Sequence, residues 1–198
     1  MNKNEKAWDK VLNIKTTGQD YSKANFLRYA YEPTPYPVLE RLANSGYIGK
    51  RDVILDYGCG KGRVDFFLSY HTRAKSIGIE YDERIYEIAI KNQEKAISGH
   101  RVCFINQDAE DYLVPTEVNR IYFFNPFSVK ILKIVMTRIM ESYYQEPREI
   151  LLFFYYPSTQ YISYLTTIDE VEYVDEIYCS DLYNFDNPRE KIMILKIY

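Results

Sequence analysis

The hydrophobic positions along the chain fall into seven short apolar runs, separated by longer stretches with helical spacing. The runs are rich in β-branched and aromatic residues, which predicts strands, at residues 53–55, 75–80, 101–106, 120–124, 149–156, 171–179 and 191–198. Apolar residues repeated every three or four positions predict helices at residues 64–68, 83–97, 129–143 and 158–165. This alternation indicates an α/β fold with a largely parallel sheet.

A glycine-rich turn follows the first predicted strand. Asp56 ends the apolar run, and residues 57–62 read Tyr-Gly-Cys-Gly-Lys-Gly before the next helix begins. In a strand–turn–helix unit, glycines let backbone N–H groups approach a ligand, and the helix N-terminus faces that ligand. The layout therefore predicts a ligand site at this edge of the sheet. The alternative is a tight turn that only connects a strand to a helix.

The order of the glycines separates the ligand classes. A dinucleotide fingerprint, G-x-G-x-x-G, would need glycine at position 63, where the chain has Arg63. A phosphate-binding G-x-x-x-x-G-K-[ST] loop is absent from the sequence. A nicotinamide- or nucleotide-dependent enzyme on a similar sheet is therefore the less favoured interpretation.

The order D-x-G-C-G-x-G resembles the first motif of the class I S-adenosylmethionine-dependent methyltransferases. The resemblance implies a doubly wound, mostly parallel seven-stranded sheet with helices on both faces and an antiparallel last strand. It also implies S-adenosyl-L-methionine as the cofactor. In that interpretation Asp56 lies near the cofactor's amino group, and the methionine half is bound by the turn residues Gly58, Cys59, Gly60 and Gly62.

Acidic residues after the next two strands extend the cofactor site. Glu80 lies 22 residues after Gly58, and an acid about 20 residues past such a turn can accept hydrogen bonds from ribose hydroxyls. The resemblance implies that Tyr81 packs on the adenine, and that Asp108 and the backbone of Ala109 bind the adenine edge. The alternatives are a solvated strand-end carboxylate for Glu80 and a helix-capping role for Asp108.

The fourth predicted strand runs into Asn-Pro-Phe-Ser at residues 125–128. This stretch is similar to the [Asn/Asp]-Pro-Pro-[Phe/Tyr] motif of methyltransferases that act on amino or amide nitrogen. Because Phe127 replaces the second proline and Ser128 stands at the usual aromatic position, only Asn125 and Pro126 are carried over, with Phe127 as a candidate stacking ring. The alternative is a strand-end turn in which Ser128 caps the next helix.

The first 36 residues precede the alternating pattern. Residues 4–15 predict a short amphipathic helix, and Pro33, Pro35 and Pro37 make the following stretch stiff before a second helix to about residue 44. We interpret residues 1–36 as an N-terminal extension and candidate lid over the ligand edge, and residues 37–198 as the methyltransferase domain. The alternative is that the aromatic residues of the extension only dock it to the core.

Composition narrows the class of protein further. The 198 residues suit one soluble domain, and three scattered cysteines favour a reducing cytoplasm over a disulfide framework. The apolar runs are too short to span a bilayer, and the first residues lack a signal-peptide pattern, so we expect no membrane partner. His71 and His100 are isolated, and no Cys/His group has zinc spacing, so we expect no metal.

The methyl acceptor is the least defined part of the prediction. Residues 148–198 carry four basic and nine acidic residues, which argues against a chain-wide nucleic-acid surface. With no recognisable RNA-binding module, a small molecule or a protein is favoured as acceptor, and RNA stays open. A non-catalytic S-adenosylmethionine-binding or regulatory module is the rival class. Tyr183 and Phe185 are placed on the ligand side by the resemblance, where they touch substrate or serve as ordinary loop packing.

Overall fold

A computed structural model describes residues 3–22, 26–184 and 187–198 of the chain. Its seven strands are β1 (Val53–Tyr57), β2 (Lys75–Glu80), β3 (Val102–Asn106), β4 (Arg120–Phe123), β5 (Ile150–Tyr155), β6 (Val171–Tyr178) and β7 (Lys191–Ile197). They form one sheet in the order β3-β2-β1-β4-β5-β7-β6. All neighbours are parallel except for the two pairs that β7 makes with β5 and β6. The predicted α/β class and antiparallel last strand are confirmed.

Helices cover both faces of this sheet. They are α1 (Lys3–Leu12), α2 (Tyr36–Asn44), α3 (Arg63–Thr72), α4 (Glu83–Gln93), α5 (Val129–Gln145) and α6 (Thr159–Leu165). Apolar residues of α1 to α4 share one core with Ile54, Tyr122 and Phe153 of the sheet. Apolar residues of α5 and α6 share a second core with the opposite face of the sheet. Leu55 and Phe123 lie on that face, because neighbouring residues of a strand point to opposite faces. The doubly wound arrangement predicted from the sequence is confirmed.

Several element boundaries differ from the prediction. Strand β1 continues through Asp56 to Tyr57, because Asp56 is paired in register with Gly78 and Tyr122 on its two neighbours. Helix α4 ends at Gln93, before the predicted residue 97, and the chain turns there into a short 3₁₀ segment before β3. Each helix of the described ranges is too short or too polar to cross a membrane.

The N-terminal residues reach the carboxyl edge of the sheet. Helix α1 packs on the main domain through Trp8, whose ring centroid lies 5.0 Å from that of Phe67. Residues 26–34, which we call the strap, then cross that edge. The strap pairs with the segment after β4: the Ser128 N–H donates to the Leu27 carbonyl (2.8 Å), and the Tyr29 N–H donates to the Pro126 carbonyl (3.2 Å).

Candidate active site

A cavity lies at the carboxyl ends of β1, β2, β3 and β4, beneath the strap. In open α/β sheets, ligands bind at this edge, where the strand order changes direction. Nine of the predicted site residues line the cavity, namely Asp56, Gly58, Cys59, Glu80, Tyr81, Asp108, Ala109, Pro126 and Phe127. Residues that are more than 60 positions apart in the chain are thus brought to one place.

The glycine turn depends on residues without a Cβ. Gly58 has a φ of 74°, and a Cβ there would lie 2.6 Å from Cβ of Pro126. Gly60 has a φ of 57°, and a Cβ there would collide with the ring of Tyr31 from the strap. The turn is held by the N–H groups of Gly58 and Cys59, which donate to the Ile79 carbonyl at 2.9 and 3.0 Å. Gly62 closes the turn as the N-cap of α3.

Glu80 is built into the cavity wall. One of its carboxylate oxygens accepts the Gly60 N–H (3.0 Å), and the other accepts the Asp82 N–H (2.9 Å). The residue is only 6% exposed, so it is not a solvated strand-end carboxylate. Burial raises the pKa of Glu80 to about 7. Each oxygen retains a lone pair for a further donor such as a hydroxyl.

A second buried carboxyl group lies behind the predicted cofactor residue Asp56. Asp65, in the first turn of α3, is fully buried and accepts a hydrogen bond from Ser76 Oγ at 2.6 Å. Oδ2 of Asp56 has no hydrogen-bond partner within the described residues. Burial, with the negative charges of Asp65 and Glu80, raises the pKa of Asp56 well above its ordinary value, and burial raises that of Asp65 to about 7. The pair therefore keeps a proton near neutral pH.

The residues predicted for the adenine are engaged by the strap. The Arg28 guanidinium lies over the Tyr81 ring, 5.1 Å from its centroid. It also forms ion pairs with Asp108 and with Glu110, the latter at 3.3 Å. Residues 107–119 form turns and loops, so the helix that Asp108 would cap in the alternative interpretation is not formed.

The segment after β4 is held on both sides. Asn125 has a φ of 40°, its Nδ2 donates to the Tyr156 carbonyl, and its Oδ1 accepts the Ser158 N–H at 3.3 Å. Phe127 is buried, and its ring centroid lies 6.2 Å from that of Tyr57. Ser128 occupies the N-cap position of α5, but its hydroxyl makes no capping hydrogen bond.

Two further residues, Tyr183 and Phe185, are expected on the ligand side, and the structure describes only Tyr183. The Tyr183 hydroxyl lies 3.1 Å from the Tyr155 hydroxyl, and Phe185 lies outside the described residues. Sequence reasoning missed Arg28 and Tyr31, which line the cavity, and Asp65, which is buried behind Asp56. Only Asp65 left a local signal, because it is an acid inside an otherwise apolar run, Val-Asp-Phe-Phe-Leu.

The sequence comparisons point to one class of protein. Residues 54–142 match a family model described as a methyltransferase domain. A protein-lysine N-methyltransferase from Saccharolobus islandicus (strain REY15A) is 31% identical over 71 residues, which are 35% of this chain and 44% of that relative. The chain thus aligns with less than half of that relative's length.

Solved structures share the fold at low sequence identity. An RNA methyltransferase from Salinibacter ruber, in complex with S-adenosyl-L-homocysteine, superposes with a TM-score of 0.52 at 19% identity, over 84% of this chain and 94% of that chain. A TehB-like S-adenosylmethionine-dependent methyltransferase from Corynebacterium glutamicum ATCC 13032 gives 0.57 at 16% identity, over 80% and 86%. Together, the methyltransferase-domain match over residues 54–142 and the order of the strands support a class I S-adenosylmethionine-dependent methyltransferase.

Proposed function

We propose that the protein binds S-adenosyl-L-methionine in the cavity and transfers its methyl group to a nitrogen atom of an acceptor. The methionine half lies along Gly58, Cys59 and Gly60, with Gly62 opening the helix behind it. The ribose hydroxyls are bound by Glu80. The adenine lies on Tyr81, with its edge at Asp108 and Ala109. The residues present fit this cofactor, since Asp56 is a buried carboxyl that lines the cavity beside the glycine turn.

The convergence of these groups on one cavity is the observation that carries the proposal. The binding groups follow one another along the chain in the order that the cofactor needs them. They are the glycine turn, the buried Glu80 20 residues after Gly60, and Asp108 with Ala109 after β3. When bound, the cofactor supplies an activated methyl group on its sulfonium. The protein then contributes mainly the positioning of the nucleophile for in-line displacement.

A nitrogen acceptor is favoured by the residues after β4. The Pro126 carbonyl lies at the cavity and accepts an N–H group, that of Tyr29 in the strap, at 3.2 Å. An acceptor amine that replaced this N–H would be held beside the methyl donor. The similarity to a protein-lysine N-methyltransferase over 71 residues supports an amine of a protein as the first acceptor to test.

The extension, residues 1–36, is the lid in this proposal. In the described conformation Arg28 lies on Tyr81 and Asp108, where the adenine is expected. The Tyr29 N–H donates to the Pro126 carbonyl, which an acceptor amine would use in this proposal, and the Tyr31 ring packs against Gly60. The strap must therefore move away for the cofactor to enter, and it is available to close over the bound cofactor afterwards.

Calorimetry and a labelled-methyl assay test the proposal together. We expect S-adenosylmethionine and S-adenosylhomocysteine to bind much more tightly than NAD or ATP. Lysate from the source organism would then be divided into dialysed protein, purified RNA and a small-molecule filtrate, and each fraction incubated with the enzyme and methyl-labelled cofactor. We expect label on nitrogen in the protein fraction.

Each other outcome has a defined meaning. Tighter binding of NAD than of S-adenosylhomocysteine would reject the cofactor assignment. Label in RNA or in the filtrate would reject a protein acceptor and would identify RNA or a small molecule as the acceptor class. Cofactor binding with no labelled product in any fraction would favour a non-catalytic binding module.

A further inference from the structure

A buried carboxylate outside the cofactor cavity lies directly before β7. Glu190 is only 8% exposed, and its Oε2 accepts a hydrogen bond from the Tyr155 hydroxyl at 2.7 Å. The hydroxyl of Tyr183 lies 3.1 Å from that of Tyr155. We call these three residues the tyrosine–glutamate cluster. The cluster joins the end of β5 to the connection between β6 and β7, at the carboxyl edge of the parallel strands.

Among the described residues, the carboxylate of Glu190 has no cationic partner. Both of its neighbours in the chain are basic, but they are engaged elsewhere. The Arg189 guanidinium lies 4.1 Å from the centroid of the Tyr156 ring, and Lys191 Nζ pairs with Glu176 at 2.7 Å. A carboxylate can accept several hydrogen bonds, and its burial beside a neutral donor is costly. A cationic ligand would offset that cost.

Phe124 connects the cluster to the cavity. It follows β4 directly and lines the cavity, and its ring centroid lies 4.7 Å from that of Tyr155. Because β4 lies between β1 and β5, Phe124 stands between the glycine turn and the cluster. Neighbouring strands are about 5 Å apart, so Tyr155 lies about 10 Å across the sheet from that turn. The cluster therefore begins one strand beyond the segment after β4, where the proposed function places the reacting nitrogen.

The backbone between that segment and the cluster has an unusual conformation. Tyr156 has a φ of 52°, which is costly for an aromatic residue. Its carbonyl accepts a hydrogen bond from Asn125, and its hydroxyl accepts one from Asn187 Nδ2 at 3.0 Å. Strain that is held in place by surrounding contacts is typical of ligand sites. This turn fixes the cluster relative to the segment after β4.

We propose that the tyrosine–glutamate cluster binds a second positive charge of the methyl acceptor, one or two residues away from the lysine that is methylated. The assignment rests on the proposed function with a protein acceptor. In an extended peptide, residues one or two positions apart are separated by about 3 to 7 Å. The side chain of a neighbouring lysine or arginine covers the remaining distance to Glu190, with its stem beside Phe124. The acceptor is thus a segment with two adjacent basic residues.

Two capped peptides test the assignment. Each has one lysine, and the residues one and two positions away on both sides are arginine in the first peptide and citrulline, the neutral analogue of arginine, in the second. We expect the wild-type protein to bind the arginine peptide about tenfold or more tightly than the citrulline peptide. The preference should appear in KM, with kcat unchanged, in a labelled-methyl assay. It should also appear in Kd by calorimetry with the S-adenosylhomocysteine complex.

Three variants separate recognition of the charge from folding and from general attraction. Glu190→Gln keeps an acceptor for the Tyr155 hydroxyl but has no charge, so the two peptides should bind equally. Glu172→Gln removes an exposed carboxylate of β6 and is the matched control, which should keep the preference. Glu190→Asp keeps the charge one methylene further back. We expect it to show a smaller preference, which is still measurable if Glu190→Gln does not fold.

Equal wild-type affinities for the two peptides, or an undiminished preference in Glu190→Gln, would overturn the assignment. Failure to bind S-adenosylhomocysteine would instead reject the proposed function. The two peptides are therefore also compared on the protein without cofactor, where a preference for arginine that depends on Glu190 would still support the cation site and equal binding would reject it.

Discussion

Asn125 has a visible structural role in addition to its proposed place beside the acceptor. Its side-chain amide joins the end of β4 to the loop after β5, through the Tyr156 carbonyl and the Ser158 N–H. Its φ of 40° is a conformation that asparagine tolerates better than most residues. A substitution at this position therefore changes both stability and geometry, and the two effects need separate measurement.

We expect Asn125→Ala to lower the free energy of unfolding by about 1–3 kcal/mol, because two partly buried backbone groups lose their partners. Turnover should fall by about 10²-fold, since a small displacement of the acceptor is enough for such a loss. The matched control is Ser158→Ala, which removes the N-cap of α6 at a cost of about 1 kcal/mol but keeps the Ser158 N–H on Asn125. Equal turnover per folded molecule in the two variants would leave Asn125 with a structural role only.

Glu80 is the residue on which the ribose assignment depends. Glu80→Ala should weaken binding of S-adenosylhomocysteine by about 1.5–3 kcal/mol, the range for lost hydrogen bonds to a charged group. Glu80→Gln keeps one carbonyl acceptor and should lose less. Calorimetry with an analogue that lacks both ribose hydroxyls provides the check: wild type should discriminate against it, and the alanine variant should not. An unchanged affinity in Glu80→Ala would place the ribose elsewhere.

Residues with a fixed distance from the glycine turn could be predicted from the sequence, and residues from the extension could not. Glu80 ends β2, which lies beside β1, and Asp108 follows β3, the next strand outward, so their order along the chain also fixes their place in the cavity. Arg28 and Tyr31 reach the cavity through the path of the strap. No periodicity or spacing in residues 26–34 predicts that path, so the positions of Arg28 and Tyr31 could be found only from the structure.

The strap lies across the opening of the cavity and lines it with Arg28, Tyr29 and Tyr31. Its backbone pairs with the segment after β4 through two hydrogen bonds, and the Tyr31 hydroxyl donates to the Thr16 carbonyl at 2.6 Å. Lys61 Nζ lies 4.6 Å from the centroid of the Tyr31 ring. These contacts fix the strap over the cavity, and in the proposed function they have to break before the adenine reaches Tyr81.

Arg28→Ala tests this competition. In the proposed function Arg28 occupies the adenine position in a fraction of the molecules, and this fraction would reduce the wild-type affinity for the cofactor. We therefore expect the variant to bind S-adenosylhomocysteine about three- to tenfold more tightly, with faster association in stopped-flow fluorescence. The control is Arg84→Ala, since Arg84 pairs with Asp82 and Ser22. Weaker binding by Arg28→Ala alone would mean that Arg28 contacts the bound cofactor instead.

At the scale of the whole molecule, alternating strands and helices predicted the α/β class, and the resemblance supplied the antiparallel β7. Helix ends were less accurate: α4 ends at Gln93, and turn residues 94–98 lead to the 3₁₀ segment Gly99–Arg101, although apolar spacing continues to Ile97. Burial could not be predicted either. Asp65 and Arg63 are charged residues inside the fold, and sequence pattern alone does not distinguish these from a solvated helix face.

Three buried carboxyl groups, Asp56 and Glu80 in the cavity and Asp65 behind Asp56, predict that the stability of the molecule depends on pH. Burial raises the pKa of Asp65 and of Glu80 to about 7, and that of Asp56 well above its ordinary value. In the unfolded chain such carboxyl groups have a pKa of about 4. Between pH 4 and pH 7, roughly, the folded state therefore binds more protons than the unfolded state. The stability of the ligand-free protein should fall as pH rises from about 4 to about 7, because ionised groups are then buried.

Binding of S-adenosylmethionine should reverse this effect, because its sulfonium and ammonium groups favour the ionised carboxyls. We expect the affinity to rise with pH through about 7, with release of up to about one proton, measured by calorimetry in buffers of different ionisation enthalpy. Asp65→Asn keeps an acceptor for Ser76 Oγ but cannot share a proton, so proton release should decrease and the thermal stability should vary less with pH. Asp181→Asn, which removes an exposed carboxylate paired with Arg41, should leave both unchanged. A flat affinity between pH 6 and 8, with no dependence on buffer, would contradict a shared proton in this cavity.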